Sequence, residues 1–202
     1  MSSRSVTRLK PRKQPAQLRS NRTVSVILEA AAHILEERGL EGYTTNSIAE
    51  RAGVSIGSLY QYYPGKDAIT IALIKQESAV LLEALARASS MDHWEDALRL
   101  MIRAATEHQL TRPKLARLLD FEESRLPFPA HAVRAGGTIH AAIVDVLNKR
   151  PETSRDDVVV LAFDILAITR GLTDSAGERG ETDIGELERR AIRAVFGYLE
   201  QP

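Results

Sequence analysis

The sequence predicts an all-α protein of about nine helices, and three observations carry that expectation. Apolar residues recur at three-to-four spacing through most of the chain. Cap residues, glycine stops and proline breaks fall where such helices would begin and end. No stretch alternates apolar and polar residues over a convincing strand length, and no internal repeat is visible.

Residues 1–20 are rich in Arg, Lys, Ser, Gln and Pro, with little to bury, and read as a flexible basic arm. Val24, Ile27/Leu28, Ala31 and Ile34/Leu35 then mark a first helix that Gly39 stops. Thr44 or Thr45 caps a short second helix with Ile48, Ala49 and Ala52 on its inner side, ended by Gly53. Ser55 opens a third helix, and Pro64 and Gly65 break the chain after it. Lys66 to about Ala88 forms a long helix with Ile69, Leu73 and Val80 on one face.

Further along, Asp92 with Glu95, Ser154 with Asp157, and Asp183 with Glu186 each stand at capping-box spacing before an apolar run. Thr111 with Pro113 marks another start, and the Leu126–Ala130 stretch LPFPA marks a break before a helix ending near Lys149. Val158–Ile168 is apolar nearly all round and needs cover on more than one side. Ile184, Leu187, Ala191, Ala194/Val195 and Tyr198 form a stripe on the last helix, which Ile192, Phe196 and Leu199 widen. A second copy of the chain supplies the missing cover economically, two such helices from each subunit making a four-helix bundle.

Composition narrows the function. With 202 residues, 44% apolar and 27% charged, the chain has the make-up of an ordinary globular protein. It has no cysteine, which excludes disulfides, thiolate chemistry and Cys-based zinc sites, and the lack predicts a reducing, cytoplasmic setting. The most apolar stretch is too short to cross a bilayer, and no apolar segment follows the basic N-terminus, so neither a membrane span nor a secretory signal is expected. His33, His93, His108, His131 and His140 include no metal-binding spacing, and no phosphate-loop or dinucleotide fingerprint occurs, so no metal and no cofactor are expected. The formal net charge of zero hides a split: residues 1–66 carry ten Lys/Arg against five Glu, and the remainder is acidic by the same margin. That is the charge distribution of a polyanion-binding head on an acidic body.

The motif that decides between function classes is Gly53-Val54-Ser55-Ile56-Gly57. Its G-x-S-x-G spacing fits the nucleophile elbow of a serine hydrolase, which would make the chain a helical enzyme using Ser55. An elbow, however, needs a buried strand immediately before the serine. The preceding residues, NSIAERA, are charged and helix-forming, and no His-Gly-Gly-type oxyanion loop occurs anywhere. In the other reading the segment is helix, turn, helix, with Ser55 capping the second helix, and that helix enters the DNA major groove. At about 100° per residue, Leu59 and Tyr63 face inward, Ile56 lies at the edge, and Gly57, Ser58, Tyr60 and Gln61 face outward. Gly57 permits close backbone approach, Gln61 suits an adenine edge, and Ser58, Tyr60, Tyr62 and Lys66 suit phosphate.

From Gly39 to Asp67, centred on TTNSIAERAGVSIGSLYQYYPGKD, the chain closely resembles the DNA-binding domain of the tetracycline-repressor (TetR) family of bacterial regulators. Two departures are visible: Tyr63 where Phe is usual, and Gly65 where Asn or Ser commonly caps helix four. The resemblance implies a ligand-responsive transcriptional regulator, a repressor that binds a palindromic operator as a homodimer. It implies DNA contacts at Thr45, Ser55, Gly57, Ser58, Tyr60, Gln61, Tyr62 and Lys66. The arm is not a fixed feature of the family; Arg8, Lys10, Arg12 and Lys13 are expected to add backbone or minor-groove contacts. Three segments follow: the arm at 1–20, a helix-turn-helix DNA-binding domain at 21–66, and a ligand-binding and dimerisation domain at 67–202.

The resemblance also implies a small-molecule effector held in the C-terminal domain. Trp94, Phe121, Phe128 and Phe163 are candidate apolar walls, and His108, His140 and Asp164 candidate polar contacts, with His93 and Arg134 as further polar choices. Asp164 is the sharpest anomaly, because an acid within an apolar helix needs a partner. A third reading keeps the fold but gives it an accessory protein-binding role. Binding to the chain's own upstream DNA separates the two.

Overall fold

The computed structural model describes residues 18–126, 135–151 and 155–200. Among these residues there are nine helices and no strand: α1 (Leu18–Gly42), α2 (Thr45–Arg51), α3 (Ile56–Tyr62), α4 (Lys66–Ser89), α5 (Trp94–Thr111), α6 (Pro113–Arg125), α7 (Ala135–Leu147), α8 (Arg155–Glu178) and α9 (Ile184–Leu199). The predicted all-α class holds.

The chain divides into two compact units. One comprises residues up to Gln76 together with Leu118–Leu126, and the other Glu77–Arg117 together with the residues from Pro127 onward. In the first unit α1 gives Ile27, Ala31, Ile34 and Leu35 to the interior, α2 gives Ile48, α3 gives Leu59, and α4 gives Ile69 and Leu73, all fully or almost fully buried. Gly39 interrupts α1 at φ 64°, a left-handed conformation that a Cβ would strain.

In the second unit Leu85, Leu98, Ile102, Val146, Leu147, Ile165 and Val195 belong to one apolar core formed by α4, α5, α7, α8 and α9. A smaller cluster joins Leu110, Ala176 and Leu187. Asp183 caps α9 as its spacing predicts, accepting from Glu186 N at 2.9 Å. Pro113 opens α6 at the position where a missing amide proton costs nothing. Ser154 and the Phe128-containing break fall outside the described residues.

Three elements differ from expectation. Val80 is 74% exposed and does not share the buried face of Ile69 and Leu73. The second half of α4 buries Leu81, Ala84, Leu85 and Ala88, a stripe about 100° round the helix from Val80. Asp92 does not cap α5, because the helix begins one residue later than the spacing suggests: His93 is the N-cap and makes no side-chain cap bond. Tyr198 lies on the exposed side of α9, while Leu187, Ala191, Val195 and Leu199 are the buried stripe. Val158, Ala162 and Ile165 cover one side of α8, leaving Val159, Val160 and Phe163 exposed on the other.

Candidate nucleic-acid interface

The helix-turn-helix is assembled from local hydrogen bonds that the sequence encodes residue by residue. Thr44 caps α2 in a reciprocal box: its Oγ1 accepts from Ser47 N at 3.1 Å, and Ser47 Oγ accepts from Thr44 N at 3.1 Å. A serine here fills the place more often held by Glu or Gln. Gly53, at φ 65°, turns the chain after Ala52, and Val54 N closes the turn onto Ala49 O at 3.0 Å. Ser55 then takes an extended conformation, φ −66° and ψ 150°, and its Oγ accepts from Ser58 N at 3.1 Å. It is a helix cap. Helix and turn, not strand, precede it, so the nucleophile elbow is not formed.

Packing sets the orientation of α3. Leu59 and Tyr63 are buried, while Gly57, Tyr60 and Gln61 are exposed and Ser58 and Tyr62 half-buried. Ile56 is exposed at the edge, as its position on the helical wheel predicts. Thr45 Oγ1 lies 3.3 Å from Tyr60 Oη, so the start of α2 and the outer face of α3 present two hydroxyls side by side. Lys66 opens α4, its Nζ 5.7 Å from the centroid of the Tyr43 ring. The predicted residues Thr45, Ser55, Gly57, Ser58, Tyr60, Gln61, Tyr62 and Lys66 thus stand on one helix-turn-helix and the turn of α4 that follows it.

Arg51 and Arg125 brace this unit with ion pairs that helical periodicity did not single out. Arg51 makes a two-point contact with Glu37, at 2.5 and 2.7 Å, joining α2 to α1. Hydrogen bonding from Arg51, the largest influence, lowers the Glu37 carboxyl below its ordinary range. Arg125 donates to Glu122 at 2.6 and 3.2 Å and to Asp67 at 3.1 Å, so the end of α6 grips the first turn of α4. Glu122 is 2% exposed. A buried carboxylate of this kind needs a partner, and Arg125 supplies it from three residues on in the same helix.

The effector candidates do not converge on one point. Trp94 stacks on Phe196 at 5.9 Å and lies beneath the Arg150 guanidinium, beside the core. His140 lies 3.9 Å from the Phe163 ring and 3.2 Å from Val159 O. Asp164 has the partner it needed, accepting from the Tyr198 hydroxyl. His108 is half-buried on α5, and Phe121 is 57% exposed on α6, in the other unit. Phe128 and Arg134 lie outside the described residues, as do Arg8, Lys10, Arg12 and Lys13. Buried polar side chains that helical periodicity did not single out are Ser78 on α4, Thr106 and Gln109 on α5, and Thr169 and Thr173 on α8. Their hydroxyls and amide resemble helix-surface residues in sequence, so no local signal marks them.

The pattern of bacterial regulatory proteins of the tetR family matches residues 27–73, and that of the tetracyclin repressor-like C-terminal domain matches residues 93–199. The chain belongs to the TetR family. The fatty acid metabolism regulator protein of Bacillus subtilis is 32% identical over 177 residues, which cover 87% of this chain and 78% of that one. The nucleoid occlusion factor SlmA of Haemophilus influenzae is 33% identical over 107 residues, 50% of this chain, and the chain spans about half the length of that relative (49%). Among solved structures, SmeT in complex with triclosan superposes with a TM-score of 0.68 at 17% identity, over 88% of this chain and 91% of that one. That likeness establishes the TetR fold. The family is one of bacterial regulatory proteins. Among the described residues no helix is long and apolar enough to cross a membrane.

Proposed function

We propose that this protein is a ligand-responsive repressor that binds a palindromic operator as a homodimer in the cytoplasm and leaves it when a small molecule binds. The observation that carries the reading is the α2–α3 pair: a capped, buried-on-one-side helix whose outer face offers a glycine, hydroxyls and an amide. Residues 21–66 form the DNA-binding domain. Ser55, Gly57 and Gln61 meet the groove, while Thr45, Ser58, Tyr60, Tyr62 and Lys66 take phosphates. Arg8, Lys10, Arg12 and Lys13 of the 1–20 arm add sequence-independent attraction.

Residues 67–202 bind the effector and the second subunit. Dimerisation through α8 and α9 would cover Val159, Val160, Phe163 and Tyr198, large side chains that these two helices leave exposed. The two recognition helices then stand about 34–36 Å apart, one turn of the duplex, and a small change in that spacing releases the operator. A relative named for fatty acid metabolism and a fold neighbour bound to triclosan make apolar small molecules the first class to screen.

The test is a band-shift with purified protein and the DNA immediately upstream of its own coding sequence, in excess non-specific competitor. A shift that a small molecule reverses supports the reading. Absence of a shift on any neighbouring promoter favours the accessory protein-binding role instead.

A further inference from the structure

We propose that Tyr43 is a positioning residue for operator binding, its buried ring holding the Lys66 ammonium ready for a DNA phosphate. The inference rests on the reading of Lys66 as a phosphate contact and adds the device that aims it.

Lys66 is the first residue of α4, where the unpaired amides and the helix dipole are positive, so the helix itself repels the cation. The neighbouring carboxylate, Asp67, is engaged by Arg125 at 3.1 Å. What lies beside the ammonium is the face of Tyr43, at 5.7 Å from the ring centroid and within the range of about 6 Å over which an aromatic face attracts a cation.

The ring is fixed in its turn. Tyr43 is 1% exposed, and the Thr70 hydroxyl sits 3.2 Å from its Oη and 3.0 Å from the Lys66 carbonyl oxygen. One hydroxyl therefore ties the far end of the ring to the backbone of the lysine it supports. Burial pushes the Tyr43 phenol well above its ordinary pKa, so the ring stays neutral.

A ring does what a carboxylate cannot. Lysine is a flexible point charge, and ordering it on binding costs conformational entropy. A carboxylate partner would order it but cancel the charge that attracts phosphate, whereas an aromatic face orders it and leaves that charge whole.

The experiment measures operator affinity of the full chain against salt for Lys66→Met, Tyr43→Phe, and Tyr43 replaced by phenylalanines carrying one to five ring fluorines, each in Lys66 and Lys66→Met backgrounds. Fluorine withdraws charge from the ring face at nearly constant volume, so the fold survives where Tyr43→Leu would leave a cavity. Lys66→Met should flatten the log–log salt slope by about 1.8, which is about 0.9 for each of the two Lys66–phosphate contacts that a bound homodimer makes. Tyr43→Phe should keep the slope, and full fluorination should weaken binding by about two- to fivefold only where Lys66 is present. A flat fluorine series beside a flattened Lys66→Met slope overturns this inference alone, as does a series equally steep without Lys66. An unchanged slope in Lys66→Met overturns the phosphate contact, and this inference with it.

Discussion

The Tyr198 hydroxyl donates a 2.5 Å hydrogen bond to Asp164 Oδ2, tying the last turn of α9 to the middle of α8. It resolves why an acid interrupts the apolar run of α8. The bond also raises the Tyr198 pKa, because the carboxylate holds the phenolic proton. Phe163, exposed, adjoins Asp164 in sequence, so the pair stands at the edge of the face assigned to the second subunit. Tyr198→Phe keeps the ring and removes the donor. Sedimentation of the purified variant should show a dimer dissociation constant raised by about three- to tenfold, with helix content unchanged. An unaltered constant would remove this pair from the interface.

Arg125→Ala strands the Glu122 carboxylate in the interior and frees Asp67 at the start of α4. The Arg125 side chain is 43% exposed, so water screens the pair and the loss is set below that of a fully buried one, at about 1–3 kcal/mol. Adding Glu122→Gln should restore more than half of it, read from urea midpoints in a double-mutant cycle. Equal destabilisation with and without Glu122 would mean that Arg125 acts by packing alone.

Alkaline pH should weaken the first unit. Burial pushes the Tyr63 phenol up to about 12 and moves Tyr43 in the same direction, against about 10 in an unfolded chain. A folded pKa above the unfolded one stabilises the fold fully below pH 10 or so, and that contribution fades as pH climbs through the folded values. Urea midpoints should therefore fall between about pH 10 and 12, and fall less in Tyr63→Phe. Phenolate absorbance from these two residues should develop together with loss of helix signal, not ahead of it.

Removing residues 1–18 should flatten the salt dependence of operator binding by about 0.9 for every phosphate that the arm neutralises, with little change in preference between operator and unrelated DNA. An unchanged slope would refute a role for Arg8, Lys10, Arg12 and Lys13 in binding.

Legibility followed the range of the interaction. Thr44, Ser55, Asp183, Gly39 and Gly53 act within three or four residues of themselves, and the structure places each as its neighbours in sequence require. The inward and outward faces of α3 follow from helical period alone. What the chain could not announce were pairs distant in sequence: Arg51 with Glu37, Arg125 with Asp67, Tyr198 with Asp164. Val80 failed for a related reason. Helix period says which residues share a face, but α4 gives residues to both units, and the buried stripe of its second half lies elsewhere on its surface. Asp92 shows the limit of cap spacing, since a shift of one residue hands the position to His93.

Gly57 is where the entry of the outer face of α3 into a DNA groove can be tested with least ambiguity. A Cβ built there meets only Ser55 Oγ, at 3.9 Å, an ordinary contact, so the free protein has room for a larger side chain. Gly57→Leu, measured for both thermal stability and operator affinity, should melt within about 1 kcal/mol of the parent, or above it, since glycine is a poor helix former. The same variant should bind its operator at least about tenfold more weakly, the cost of a disturbed groove contact. Full operator affinity in a well-folded Gly57→Leu protein would mean that this face of α3 does not enter the groove.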